Sequence, residues 1–136
     1  MNNNSKLFYK NLIEFLMHLK HRLYEVAIIN DLSAMQLIMI LILEKHKSQS
    51  MNYFKKLFNC DASNITNIAE ALVSKGLISR LESTEDRRIK ELKLLPKGDK
   101  VQDKILKDLK TPNPETFFDL EKEQIVQLID FVNNWH

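Results

Sequence analysis

Two short stretches carry side chains whose types and spacing suit recognition rather than catalysis. On a helix expected over residues 61–75, Ile65, Ile68, Ala69 and Leu72 follow one another at helical spacing and claim the inward face. That leaves Ala62, Ser63, Asn64, Thr66, Asn67 and Glu70 facing outward. An asparagine amide can pair bidentately with adenine, and Ser or Thr hydroxyls serve either kind of base. Such a surface reads hydrogen-bonding edges but supplies little charge. The charge follows in Arg87, Arg88 and Lys90, clustered on a polar turn. Guanidinium groups suit the negative potential of a narrow minor groove. The combination points to double-stranded DNA, with Ser63, Asn64, Thr66 and Asn67 toward the bases and Arg87, Arg88 and Lys90 as the cationic contact.

Other reactive residue types are sparse. Cys60 is the only cysteine, which excludes an intrachain disulfide and a multi-cysteine metal site. It falls in the apolar slot before the helix at 61, so a small core residue is expected; a thiol there would also gain acidity from the helix N-terminus. His18 and His21 lie one helical turn apart, but two ligands do not complete a metal site. No nucleophile, base and orienting group can be assembled, and no glycine-rich phosphate loop is present. A non-enzymatic protein without cofactor or metal is expected.

The recognition stretches need elements to hold them. Leu12, Leu16, Leu19, Leu23 and Val26 form one apolar stripe on a helix over residues 6–29. Asn30-Asp31 breaks it. Ser33 and Gln36 then form a capping box, with Leu32 and Leu37 as its hydrophobic staple. The helix they start is apolar nearly all round through Leu43, so it should be central and buried. A short helix over residues 51–58 follows, with Phe54, Leu57 and Phe58 inward and a left-handed turn at Asn59. Asp61 caps the next helix and Gly76 ends it, with Leu77 making the accompanying apolar contact. Two helices joined by so tight a turn form a helix-turn-helix. Strands over 77–81 and 89–94 around the polar turn 83–88 make a hairpin, the wing. Pro96 starts a helix carrying Val101, Ile105 and Leu109. Thr111-Pro112-Asn113-Pro114 breaks it, and a final helix over 120–135 carries Ile125, Leu128, Val132 and Trp135.

The chain has 136 residues, enough for one domain. Only two glycines and three prolines argue against an all-β fold, which needs more turns. The formal net charge of +2 says little by itself about a nucleic-acid partner. The longest apolar stretch, around Leu37 to Leu43, is far short of the ~20 residues of a membrane span. No signal-peptide pattern opens the chain, so the expected place is the cytoplasm, without membrane contact. The fold class expected is mainly α with a small β-hairpin wing: a winged helix-turn-helix flanked by terminal dimerisation helices. Residues 1–30 and 97–136 would supply the dimerisation helices of a single domain, and 31–96 the DNA-binding lobe. Stripes as long as those at the two ends are rarely left to water, so a homodimer is expected.

This order of elements resembles the MarR family of transcriptional regulators over nearly the whole chain. The resemblance rests on Leu72-Val73-Ser74-Lys75-Gly76-Leu77-Ile78, similar to the end of that family's recognition helix. It rests also on Asp86-Arg87-Arg88 followed by Leu94-Leu95-Pro96-Lys97-Gly98. Both glycines fall where the family pattern has glycine. The resemblance implies a homodimeric regulator, a repressor on a pseudo-palindromic operator, with recognition helix 61–75 and wing 79–94. Arg88 would be the inserted wing residue and Asp86 its ion-pair partner. Read from the residues themselves, Lys55 and Lys56 on the first helix of the motif are placed equally to meet phosphate or to serve as solubilising surface, and the N-terminus of the helix at Ser33 can donate backbone N–H groups to phosphate. The resemblance also implies release by a small-molecule effector, in a pocket near Phe15, His18, Met35 and Met39. Two departures stand out: Leu95 replaces a capping Thr, which should weaken the next helix start by roughly 1 kcal/mol, and Asn67 stands where an arginine is frequent. The alternative reading is a winged-helix module that binds another protein.

Overall fold

The computed structural model describes residues 3–110 and 122–134. Its elements are α1 (Asn3–Ile29), α2 (Ala34–Ile42), β1 (Gln49–Ser50), α3 (Met51–Phe58), α4 (Ala62–Ser74), β2 (Ile78–Glu82), β3 (Lys90–Leu94), α5 (Pro96–Lys110) and α6 (Lys122–Asn133). The expected Thr111–Pro114 break, the start of the last helix at Leu120, and Trp135 lie outside the described residues. The chain divides into two compact units, one of Met1–Leu19 with Pro112–His136 and one of Lys20–Thr111.

Helix limits in the larger unit follow local chemistry. Ser33 Oγ accepts from the Gln36 N–H at 3.1 Å, and Gln36 Oε1 accepts from the Ser33 N–H at 3.1 Å, completing the capping box. Leu32 and Leu37 are both buried beside it. Ser50 caps α3 and Asp61 caps α4 in the same way. Gly76, at φ +72°, ends α4 with two bonds back into the helix: its own N–H reaches Val73 O at 2.9 Å, and the Leu77 N–H reaches Leu72 O at 3.1 Å.

The core of this unit is apolar and continuous. Leu37, Met39, Ile40 and Leu43 of the α2 segment, Phe54 of α3, Ile65, Ala69 and Leu72 of α4, and Ile105 of α5 are buried there. Gln102 is buried with them because its side-chain NH2 donates to the carbonyls of Ile40 at 2.8 Å and Leu43 at 2.6 Å, groups that end α2 without partners of their own. Leu57, expected inward, is 49% exposed. Phe54 and Phe58 meet edge-to-face at 5.7 Å and make up the inner side of α3; Leu57 lies on the other side of Phe54, about 100° round the helix from Phe58, and falls at the edge of that face.

The wing belongs to a three-stranded antiparallel sheet in the order β1-β3-β2, not to a lone hairpin. β3 is central. It pairs with β2 from Ile78↔Leu94 to Glu82↔Lys90, and with β1 through Gln49↔Leu92 and Ser50↔Glu91. The Ser48 hydroxyl donates to the Glu91 carboxylate at 2.9 Å beside that junction. No side-chain cap is present at the start of α5, where Leu95 stands; the Asp99 N–H bonds to the Leu95 carbonyl at 2.9 Å.

In the smaller unit, Leu7, Ile13, Leu16, Met17 and Leu19 of α1 and Val126, Leu128, Ile129, Phe131 and Val132 of α6 are exposed. Of the expected α1 stripe, Leu16 and Leu19 are exposed and Leu12 is half-buried, whereas Leu23 and Val26 pack into the core of the larger unit; of the expected α6 stripe, Leu128 and Val132 are exposed, and the side chains of Ile125 and Trp135 lie outside the described residues. No single helix among the described residues is long and apolar enough to cross a membrane.

Candidate nucleic-acid interface

α4 presents its polar side to solvent because the opposite side is committed to the core. Ser63, Asn64 and Asn67 are exposed, and Thr66 is half-buried at the edge of the face. The Asp61 carboxylate accepts from the Asn64 backbone N–H at 2.9 Å, so the first turn is held by a cap rather than by the outward side chains. The left-handed Asn59, at φ +48°, folds α3 back on α4; its N–H reaches the carbonyls of Lys55 and Lys56. Lys55 and Lys56 are exposed on α3. At the N-terminus of α2 the capping box already occupies two N–H groups, which reduces what that end can offer an anion.

The wing loop is built around Asp86. Its carboxylate accepts from the Arg88 N–H at 3.0 Å and from the Arg88 side chain at 3.1 Å (Nε) and 3.0 Å (Nη2). These bonds hold the Asp86 carboxyl below its ordinary value and raise the Arg88 guanidinium. Arg88 is nevertheless 91% exposed, so it is oriented but not consumed. Arg87 is exposed and makes no ion pair among the described residues. Lys90 differs from the expected picture of a free wing cation: its ammonium pairs with Glu82 across the hairpin at 2.9 Å. The Glu82↔Lys90 register places the two side by side, and only strand pairing reveals it.

One cation at this surface was not singled out by the sequence pattern. Arg80 of β2 reaches Glu70 of α4 at 3.5 Å and ties the wing to the helix. Its signal was weak, because Arg80 and Glu70 are ten positions apart and meet only when the strand folds back.

Cys60 is half-buried rather than fully enclosed, packed against the core at the mouth of α4. Of the expected effector-pocket residues, Met39 is fully buried in the core. Met35 lies at the surface and lines a cavity of about 340 Å³ with Phe58, Cys60, Asn64 and Ile68. His18 and His21 are exposed on α1, and among the described residues no group of three His, Cys, Asp or Glu is placed to hold a metal.

Residues 32–90 match the MarR family. Over 71 residues the chain is 34% identical to the HTH-type transcriptional regulator YpoP of Bacillus subtilis, covering 52% of this chain and 50% of that protein. Over 92 residues it is 29% identical to the HTH-type transcriptional repressor MdtR of Bacillus subtilis, covering 68% and 59%. The chain thus spans about half to three-fifths of the length of these relatives. In three dimensions it resembles a mutant MarR from E. coli crystallised with operator DNA, with a TM-score of 0.68, 19% identity, and 96% and 94% of the two chains covered. That likeness concerns the winged-helix fold. The segment from Leu32 to Lys90, which holds the helix-turn-helix and most of the wing, is the part of this chain that matches the MarR family.

Proposed function

We propose that this protein is a DNA-binding transcriptional regulator, not an enzyme, that acts in the cytoplasm as a homodimeric repressor on a pseudo-palindromic operator. The observation that carries the reading is the pairing of two surfaces: an α4 face with Ser63, Asn64 and Asn67 exposed and Thr66 at its half-buried edge, and a wing whose Arg88 is aimed by Asp86 while 91% exposed. The helix reads base edges in the major groove, and Arg87 and Arg88 meet the adjacent minor groove or its phosphates. Lys90, neutralised by Glu82, contributes less.

The exposed apolar residues of α1 and α6 support the homodimer, with residues 1–30 and 97–136 as its dimerisation helices and 31–96 as the DNA-binding lobe. Related proteins include a repressor and one crystallised with operator DNA, which favours repression at such a site. Release by a small-molecule effector belongs to the same proposal.

Selection of bound duplexes from a random DNA pool tests the reading. Recovery of a two-fold symmetric motif with half-sites about one helical turn, roughly 10 base pairs, apart is expected. Absence of any salt-dependent binding to duplex DNA would leave the protein-interaction reading in its place. Sedimentation must show a dimer; a stable monomer overturns the dimeric part.

A further inference from the structure

A pocket of about 150 Å³ lies between the helix-turn-helix and the wing. Four cationic side chains line it: Lys55 of α3, Arg80 of β2, and Arg88 and Lys90 of the wing. Thr66 and Asn52 add a hydroxyl and an amide, and apolar side chains complete the wall. No carboxylate is among the lining residues. The carboxylates that pair with three of these cations lie outside the lining: Glu70 on Arg80 at 3.5 Å, Asp86 on Arg88 at 3.0 Å and Glu82 on Lys90 at 2.9 Å. Three of the four charges are partly offset by those carboxylates, but the cations themselves line the pocket and the carboxylates do not, so the pocket favours an anion, and its apolar wall lowers the local dielectric and strengthens that attraction. Arg80, with its side chain 31% exposed, is the most withdrawn of the three ion-paired cations. A guanidinium fork matches a phosphate in bidentate geometry, and Thr66 stands ready to donate to a further oxygen.

We propose that this pocket seats one backbone phosphate of duplex DNA per protomer, with Arg80 as its principal ligand and Glu70 as the residue that positions Arg80. The proposal rests on the DNA-binding reading and deepens it: Arg88 and the α4 face set the site read, and the Arg80 seat fixes the duplex between helix and wing. Phosphate contacts of this kind give register and salt dependence, not sequence preference.

The test is titration of the full-length protein with short mixed-sequence duplex DNA across a series of salt concentrations. Each lost phosphate contact lowers the slope of log K against log salt by about 0.9, so Arg80→Ala should make it shallower by roughly 2 for a dimer. Affinity at low salt should fall roughly tenfold or more, as expected for a lost charge-assisted bond. Arg80→Gln, neutral and of similar reach, should give the same shallower slope, whereas Arg80→Lys should keep most of it. Glu70→Ala removes a negative charge facing DNA and on charge alone would tighten binding; a positioning role makes it weaken binding, and Glu70→Gln should restore much of the loss. Unfolding midpoints equal to wild type separate these effects from misfolding. If wild type binds and the neutral Arg80 variants leave the slope unchanged, the phosphate seat is wrong while the DNA-binding reading stands. Tighter binding by Glu70→Ala overturns the positioning role. A wild-type protein that ignores duplex DNA overturns both.

Discussion

A Cβ added to Gly98 would lie 1.9 Å from the carbonyl oxygen of Leu77, so the first turn of α5 rests directly on the backbone that leaves α4. The same oxygen accepts the Leu95 N–H at 3.0 Å, which fixes the spacing from the other side. The two glycines therefore serve different ends. Gly76 sits at φ +72° with open space around its missing Cβ and is needed for conformation alone. Gly98 is needed for contact. Gly98→Ala should destabilise by roughly 1–3 kcal/mol or more, since backbone must move, and Gly76→Ala by about 1 kcal/mol. Gly76→Asn should recover much of its loss, while Gly98→Asn should be worse than Gly98→Ala. Urea unfolding of the four variants checks the contrast; equal costs for Asn at both positions would contradict it.

The wing makes a separable prediction about binding. Arg88→Ala should abolish or severely weaken DNA binding with no change in unfolding midpoint, because the side chain is exposed and its bonds are confined to Asp86. Asp86→Ala should weaken binding although it removes a negative charge, since it frees Arg88 to swing. Fluorescence anisotropy on labelled duplex DNA checks both, and an Asp86→Ala protein that binds better than wild type would show that the ion pair only masks Arg88.

Besides Asn59, two non-glycine residues among those described adopt left-handed backbone, Asp31 at φ +54° and His46 at φ +65°. A left-handed conformation costs an L-residue roughly 1–2 kcal/mol, partly offset by the extra unfolded-state entropy of glycine. His46→Gly should therefore stabilise by about 0.5 kcal/mol, read as a raised melting temperature. Asp31→Gly should gain less, because Asp tolerates this region better than most residues.

Asp108 joins α5 to the end of α1. Its carboxylate accepts from Lys104 at 2.8 Å and from the Asn30 amide at 3.0 Å, while its backbone carbonyl accepts from Arg22 at 2.6 Å. The Lys104 and Asn30 bonds hold its carboxyl below the ordinary value of 3.8. A depressed folded value means the contribution is fully present above the ordinary carboxylate range and is lost as pH falls through the lower folded value. Acid unfolding should therefore begin later and more gently in Asp108→Asn, relative to its own neutral-pH stability. Unfolding curves taken from neutral pH down through the carboxylate range check this. Identical pH dependence in wild type and variant would show that Asp108 does not contribute.

Much of this molecule is decided by neighbours in the chain. Ser33 with Gln36, Asp61 with Asn64, Asn59 and Gly76 set where helices start, turn and stop, because each acts on backbone groups within five residues. The helical spacing of Ile65, Ile68, Ala69 and Leu72 likewise decides which face of α4 is left for recognition. The sequence alone thus determined the helix-turn-helix, the outward residues of its second helix and the Asp86–Arg88 turn. Tertiary structure decided the rest. β1 has two polar residues and no pattern of its own; it becomes a strand only because β3 offers unpaired backbone groups at Leu92 and Glu91. Leu57 follows the helical pattern yet has no core opposite it. Lys90 loses its freedom to Glu82, and Arg80 meets Glu70, through strand pairing and packing that join residues distant in sequence. Backbone caps act over one helical turn, whereas charge pairing and burial depend on which surfaces folding brings together. For that reason the reading face is legible in the sequence, and the cation pocket beside it is not.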